Sequence, residues 1–375
     1  MLTAREAIDL ARTQLAPRPD LLDRLNTLVR LAVAVRPSEY HVTNACNIRC
    51  DGCWFFVFGH DKQSKEETDL GKLDAFLHDQ VRRRRVNAAL VIGGEPSLVP
   101  RRLEVFRRHF RYLTISTNGL RPLPRDGFEE VAIGVTLFGG GPMDDQLRGI
   151  KPGGRRFTGL FDTALANYRN DDRAGFIYAV TEDGVAYVED TVRRIQDNGN
   201  RLQFNYYSSY GAADGALPAA TARLLDELLR VRDRYPETVV SHPYYIETLL
   251  TGQSHFARFG YEVCPSISAD HPAHQPRIES GAPNLPLFNS YAADLETLNF
   301  CCTSGHCADC RDSQAVLSWL LVSMREFLAS VDALETWIEV AESYWRQFIW
   351  GPLHWTKQPP AWRAGAAPPA ALRVG

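Results

Sequence analysis

Apolar residues recur at helical spacing at the start of the chain and then change period. Residues 4–15 and 20–34 place Leu21, Leu22, Leu25, Leu28, Val29 and Ala32 on one helical face, with Pro17 and Pro19 breaking between the two segments. Thr3 and Glu6 have the spacing of a capping box, which predicts a helix starting there. From residue 38 the pattern turns to short β-rich runs alternating with longer, charged segments of helical period. The runs are Tyr40-His41-Val42-Thr43, Ala88-Ala89-Leu90-Val91-Ile92, Tyr112-Leu113-Thr114-Ile115-Ser116, Val131-Ala132-Ile133-Gly134-Val135-Thr136-Leu137, Gly175-Phe176-Ile177-Tyr178-Ala179-Val180 and Leu202-Gln203-Phe204-Asn205-Tyr206-Tyr207. Six strands that each return through a helix predict an α/β fold with a parallel sheet, and right-handed crossovers curl it into a full or partial (βα)6 TIM-like barrel.

After Gly215 a helix is expected over 218–235, then a Pro- and Gly-rich segment to about residue 300, then helical period again over 313–350. The aromatic residues of that last stretch, among them Trp319, Phe327, Trp337 and Trp345, read as packing against the barrel. The division expected is an N-terminal helical preface at 1–37, the barrel at 38–216, a cysteine-containing helical extension at 217–356 and a flexible Pro- and Ala-rich tail at 357–375.

In a βα barrel, ligands sit at the C-terminal ends of the strands. The Gly-rich and polar turns of this chain fall there: Gly93-Gly94-Glu95-Pro96, Ser116-Thr117-Asn118-Gly119, Phe138-Gly139-Gly140-Gly141 and Ser208-Ser209-Tyr210-Gly211. Four such turns at one topological position predict a shared site.

Composition narrows the class of partner. With 42 basic against 45 acidic residues the net charge is −3, which gives no reason to expect nucleic acid or an anionic membrane as the main partner. Arg82-Arg83-Arg84-Arg85 reads as a solvated helix end. The apolar stretch Ala315 to Met324 is shorter than the roughly 20 residues of a spanning helix. The N-terminus lacks a basic region followed by an apolar one, so a cytoplasmic location is expected.

Eight cysteines in such a chain suggest metal or redox chemistry more than disulfides. Cys46, Cys50 and Cys53 form C-x3-C-x2-C immediately after the first strand. Three thiolates on one loop can hold three irons of a [4Fe–4S] cube and leave the fourth open. A zinc site is the alternative; it needs a fourth ligand, for which His41 and His60 are the candidates near this loop.

These motifs resemble the radical S-adenosylmethionine (radical SAM) superfamily over about residues 38–211. The resemblance rests, in order, on Cys46, Cys50 and Cys53; Gly93-Gly94-Glu95-Pro96; Ser116-Thr117-Asn118-Gly119; Asp145-Gln146-Leu147-Arg148-Gly149 after the fourth strand; and Thr181 after the fifth. It implies a cluster whose open iron chelates S-adenosylmethionine, and reductive cleavage of that cofactor to a 5′-deoxyadenosyl radical. It also implies cofactor contacts from Gly93, Gly94 and Glu95, from Ser116 and Asn118, and from Arg148, for which a surface salt bridge is the alternative. The residue before the third cysteine is usually aromatic in the superfamily and lies by the adenine. Here it is Gly52, followed by Trp54, Phe55 and Phe56 after the cysteine.

Cys264, Cys301, Cys307 and Cys310 supply four further thiols, with Cys302 left over. A second [4Fe–4S] cluster, a four-thiolate zinc site and unligated cysteines all fit them. Their layout resembles the SPASM or twitch auxiliary-cluster regions of some radical SAM enzymes. Ser241-His242-Pro243, Leu249-Leu250-Thr251-Gly252, Cys264-Pro265 and Cys307-Ala308-Asp309-Cys310 resemble, faintly, the hopanoid adenosyl-transferase branch. Cys302 is a candidate hydrogen-atom donor or a buried small residue, and Tyr206, Tyr207 and Tyr210 are candidate substrate contacts, Tyr206 also a candidate catalytic group.

The expectation is therefore an enzyme that abstracts hydrogen from a small molecule in a biosynthetic pathway, with flavodoxin or ferredoxin as electron donor. Residues 1–37 are too short for the recognition module that peptide-modifying relatives often carry. Peptide modification, adenosyl addition to an isoprenoid, and a non-catalytic iron–sulfur or zinc protein are the alternatives.

Overall fold

The computed structural model describes residues 2–110, 112–207, 219–251, 268–270, 289–299 and 311–348. Six parallel strands follow one another in chain order: β1 (Pro37–His41), β2 (Ala88–Ile92), β3 (Tyr112–Thr117), β4 (Ala132–Phe138), β5 (Ala174–Val180) and β6 (Arg201–Tyr206). The short β7 (Ser290–Tyr291) adds parallel to β1, and β8 (Leu298–Asn299) pairs antiparallel to β7. The sheet order is β6-β5-β4-β3-β2-β1-β7-β8. The expected α/β barrel is present in its partial form: β6 and β8 are the two margins of the described sheet.

The helices are α1 (Ala4–Gln14), α2 (Pro19–Ala34), α3 (Trp54–Val57), α4 (His60–Gln63), α5 (Leu70–Arg82), α6 (Pro100–His109), α7 (Pro142–Arg148), α8 (Leu160–Asn167), α9 (Val188–Asp197), α10 (Ala219–Arg234), α11 (Pro243–Thr251), α12 (Ser313–Val322) and α13 (Val331–Phe348). Thr3 and Glu6 form the expected capping box of α1.

A sheet wound in sequential order with right-handed crossovers carries its helices on one face. The strand residues divide accordingly. On β3, Leu113, Ile115 and Thr117 are buried, while Thr114 and Ser116 face a chamber on the opposite side. On β4, Val135 and Leu137 go to the core, and Gly134, Thr136 and Phe138 to the chamber. The apolar core thus lies between sheet and helices, and the inner face mixes small and polar side chains with apolar ones such as Leu90, Ile92 and Ile177.

Two segments protect the margins of this sheet. Leu202 N donates to Thr238 O and Val240 N to Leu202 O, while Tyr245 Oη on α11 donates to Phe204 O at 3.0 Å. At the other side β7 covers β1. The preface packs on the C-terminal helices: Arg24 makes a two-pronged contact to Glu342 of α13 at 2.9 and 3.0 Å, and Gln14 donates to Leu328 O.

Two sequence expectations shift. The first strand runs Pro37–His41 rather than 40–43, because Thr43 Oγ1 and Asn44 N donate to the Glu66 carboxylate and peel the chain off the sheet. The stretch 313–350 is two helices, interrupted by a 3-10 turn at Met324–Phe327. Its aromatic residues Trp319, Phe327, Trp337 and Trp345 are buried, and Trp337 Nε1 donates to Leu320 O. Arg82–Arg85 end α5 as an exposed turn, with Arg83 on Asp79 and Arg84 on Asp270. Among the described residues no helix is long and apolar enough to cross a membrane.

Candidate three-thiol site above the barrel chamber

The loop from Val42 to Cys53 carries Cys46, Cys50 and Cys53 and runs into α3, for which Cys53 is the N-cap. It is tied down by its neighbours at the C-terminal margin of the sheet. Arg49 N donates to Ile150 O and Asp51 N to Leu147 O, both at 2.7 Å. From the other side Gly94 N donates to Thr43 O and Glu95 N to Ala45 O, both at 2.8 Å. The glycines of this turn are required by that approach. Gly93 has φ +122, and a Cβ on Gly94 would lie 2.1 Å from Ala45 O. The two strongest sequence signals are therefore one interlocked structure.

Glu95 is buried, and its carboxylate accepts from Ser97 N at 2.9 Å, Thr117 Oγ1 at 2.7 Å and Asn118 N at 2.8 Å. It welds the turn after β2 to the turn after β3. Asn118 Nδ2 reaches on to Asn47 Oδ1 of the thiol loop at 2.6 Å. The Ser116 hydroxyl faces the chamber without a protein partner among the described residues.

Arg148 is not a surface salt bridge: it is 1% exposed. Its guanidinium pairs with Asp144 at 3.0 Å, donates to Thr136 O and to Asn118 O, and lies beside Cys50; its Nε has no partner among the described residues. Asp144 in turn accepts from Phe138 N at 2.8 Å. Burial pushes the Asp144 carboxyl up, with Arg148 opposing the shift.

The three thiols are free and partly buried. Burial pushes Cys46 up to about 11 and Cys50 up to about 12, and raises Cys53 too. Among the described residues no three His, Cys, Asp or Glu side chains converge on a single-ion site. His60 is buried, bonded through Nδ1 to Gln63, and held below its ordinary value by burial.

Beneath the loop lies a cavity of about 320 Å³, reaching down the inner face of the sheet to the Ser313 end of α12. Cys46, Cys50 and Cys53, Gly93 to Glu95, Ser116, Asn118, Arg148 and Tyr206 all border it, so every cofactor residue expected within the described chain meets at one cavity. Tyr206 Oη donates to Glu182 at 2.6 Å, Thr221 Oγ1 donates to the same oxygen, and Arg311 lies over the Tyr206 ring. Burial, then Glu182, push this phenol up to about 12. Cys264, Cys301, Cys302, Cys307, Cys310 and Tyr210 lie outside the described residues.

Tyr207, a candidate substrate contact in the sequence, borders the cavity and also covers Gly52. Sequence reading missed one group. Glu39, an acidic residue inside β1, points into the chamber; an ionisable residue at the centre of a parallel strand was its signal.

No protein-family model matches the sequence, and no curated protein matches it. Among solved structures the chain is similar to native anSMEcpe with bound AdoMet, at 16% identity over 58% of this chain and 67% of that one, TM-score 0.44. It is also similar to anSMEcpe with bound AdoMet and the Cp18Cys peptide, at 14% identity over 84% and 88%, TM-score 0.45. A third is the FeFe-hydrogenase maturase HydG from Carboxydothermus hydrogenoformans, at 12% identity over 92% and 96%, TM-score 0.40. Likenesses of this size carry no argument about activity. Fold and site by themselves define the class: a partial βα barrel with a three-thiol loop set over its inner chamber.

Proposed function

We propose that the chain is a radical SAM enzyme acting on a small molecule. The observation that carries the reading is the joint between the thiol loop and the Gly93–Pro96 turn above a lined cavity. Three free soft donors on one short loop suit a [4Fe–4S] cluster held by Cys46, Cys50 and Cys53. Bound there, a cluster with one open iron supplies the electron that cleaves S-adenosylmethionine and so yields the 5′-deoxyadenosyl radical.

The chain's own residues orient and enclose. The Gly94 turn presents backbone to the cofactor, Glu95 holds that turn against Asn118, and Ser116 offers a free hydroxyl. Arg148 keeps a positive charge behind Cys50, which favours the thiolate that a metal requires. Ser313 and Gln314 of α12 and Arg346 of α13 line the lower chamber. A cavity of this size suits a small molecule better than a folded protein partner. The thiols at 264–310 are proposed to hold a second cluster, and flavodoxin or ferredoxin to deliver the electron.

Anaerobic reconstitution with iron and sulfide tests the reading. About four irons per chain support the first cluster alone and about eight support both. With S-adenosylmethionine and dithionite the replete protein should release 5′-deoxyadenosine; its absence overturns the assignment.

A further inference from the structure

β1 carries a carboxylate into the chamber that has no cation of its own. Glu39 is 5% exposed and borders the cavity, between Leu90 of β2 and Ser290 of β7. Oε1 accepts from Ser290 Oγ at 2.7 Å. Among the described residues no hydrogen bond reaches Oε2, and no Lys or Arg lies within 4 Å of either oxygen. The nearest chargeable group is His41 Nε2, 3.8 Å from Oε1, too far for a hydrogen bond and itself without a partner. The imidazole is held at Nδ1 by Asn299 Nδ2 at 3.2 Å and sits edge-on to Trp54 and Phe55, at 5.6 and 5.3 Å between ring centres.

The other carboxylates of the site each meet a cation or two or more donors, although Asp144 Oδ2 is left without a partner among the described residues. Glu95 has three donors, Asp144 has Arg148 and Phe138 N, and Asp312 caps α12 through Gln314 N and Ala315 N. An isolated carboxylate taken out of water is strongly disfavoured unless a cation meets it, and a single hydroxyl does not replace one. Glu39 stands in an accessible chamber whose nearby walls include Trp54, Phe55, Leu90 and Ile92. An aromatic and aliphatic wall around one carboxylate is the recognition set for a protonated amine. A metal ion is the poorer fit, since no group of three His, Cys, Asp or Glu side chains converges there among the described residues.

We infer that the chamber binds a substrate carrying a protonated amino group, with Glu39 Oε2 as its counter-ion. The inference rests on the chamber being the substrate site of the proposed enzyme, and names the chemical class that this site takes. Ser290 holds the carboxylate in place through Oε1.

The test compares benzylamine with benzyl alcohol, matched in shape and different in charge at pH 7.5, by titration calorimetry on the reconstituted protein. The amine should bind roughly tenfold more tightly than the alcohol, as one charge-assisted hydrogen bond supplies. Glu39→Gln keeps the bond to Ser290 and should remove the preference; Ser290→Ala should leave most of it. Equal binding of the two probes, no binding of either, or a preference that survives Glu39→Gln overturns the proposal. Should Glu39→Gln not fold, carbodiimide labelling of the wild-type protein, mapped by mass spectrometry, decides: benzylamine should protect Glu39 and benzyl alcohol should not, and equal labelling overturns it. Substrate-independent release of 5′-deoxyadenosine is measured in the same samples, so that failure of the radical SAM reading shows there and failure of the amine site shows in the probe pair.

Discussion

Tyr207 lies over Gly52. Its Oη donates to the Asp51 carbonyl at 3.0 Å, and a Cβ on Gly52 would stand 2.6 Å from that same oxygen. The ring also meets Phe138 edge-on at 5.4 Å. The end of β6 thus supplies the aromatic surface beside the third cysteine, where the loop itself has none. Gly52→Ala meets this ring and a φ of +67 together, and is expected to cost about 1–3 kcal/mol. Tyr207→Leu should recover part of that loss in the double variant, a coupling that a thermal-denaturation mutant cycle measures.

Each thiol of the loop should be needed for the first cluster. Cys50→Ala is expected to abolish 5′-deoxyadenosine release and to cut reconstituted iron by the content of the first cluster. Cys310→Ala should spare substrate-independent cleavage. Equal loss in both variants, read by iron assay and product chromatography, contradicts two separate sites.

The metal-free thiols should also report their burial. A free cysteine titrates near about 8.5. With Cys46 at about 11 and Cys50 at about 12, iodoacetamide should modify them slowly at pH 8.5 and speed up only as pH approaches those values. Because folding raises both values, the protonated thiols stabilise the metal-free fold below about pH 9, and that contribution is lost as pH rises towards 11–12. Peptide mapping of the alkylated protein and a melting series over pH 7–10 check the two halves of the statement.

The Asp144–Arg148 pair is a brace under the site. Arg148→Ala leaves Asp144 buried and uncompensated and is expected to cost about 3–5 kcal/mol in denaturant unfolding. Asp144→Asn keeps an acceptor for Phe138 N and should cost less. Both variants should reconstitute with less iron than the parent protein, because the turn after β3 and the thiol loop lose their common support.

Much of the barrel was legible because each strand is a short apolar run closed by a Gly-rich turn. The start of β1 was not, since it depends on Glu66, a residue more than twenty positions away that draws Thr43 and Asn44 off the sheet. At the site, the cysteine spacing and the Gly93–Pro96 turn were plain in the sequence. Their direct backbone joint was not, because it needs β1 and β2 paired in register. An i, i+4 pair such as Asp144 and Arg148 has the same spacing whether it faces water or protein, so only packing shows it turned inward.

The partnership of Glu39 with Ser290 spans 251 residues. During synthesis β1 emerges early and β7 late, so the flank of β1 waits, unpaired, for nearly the whole barrel to form. A strand in that position invites pairing with another nascent chain. An acidic side chain at its centre opposes such pairing until the proper neighbour arrives, so the same carboxylate that charges the finished chamber guards the growing chain against aggregation.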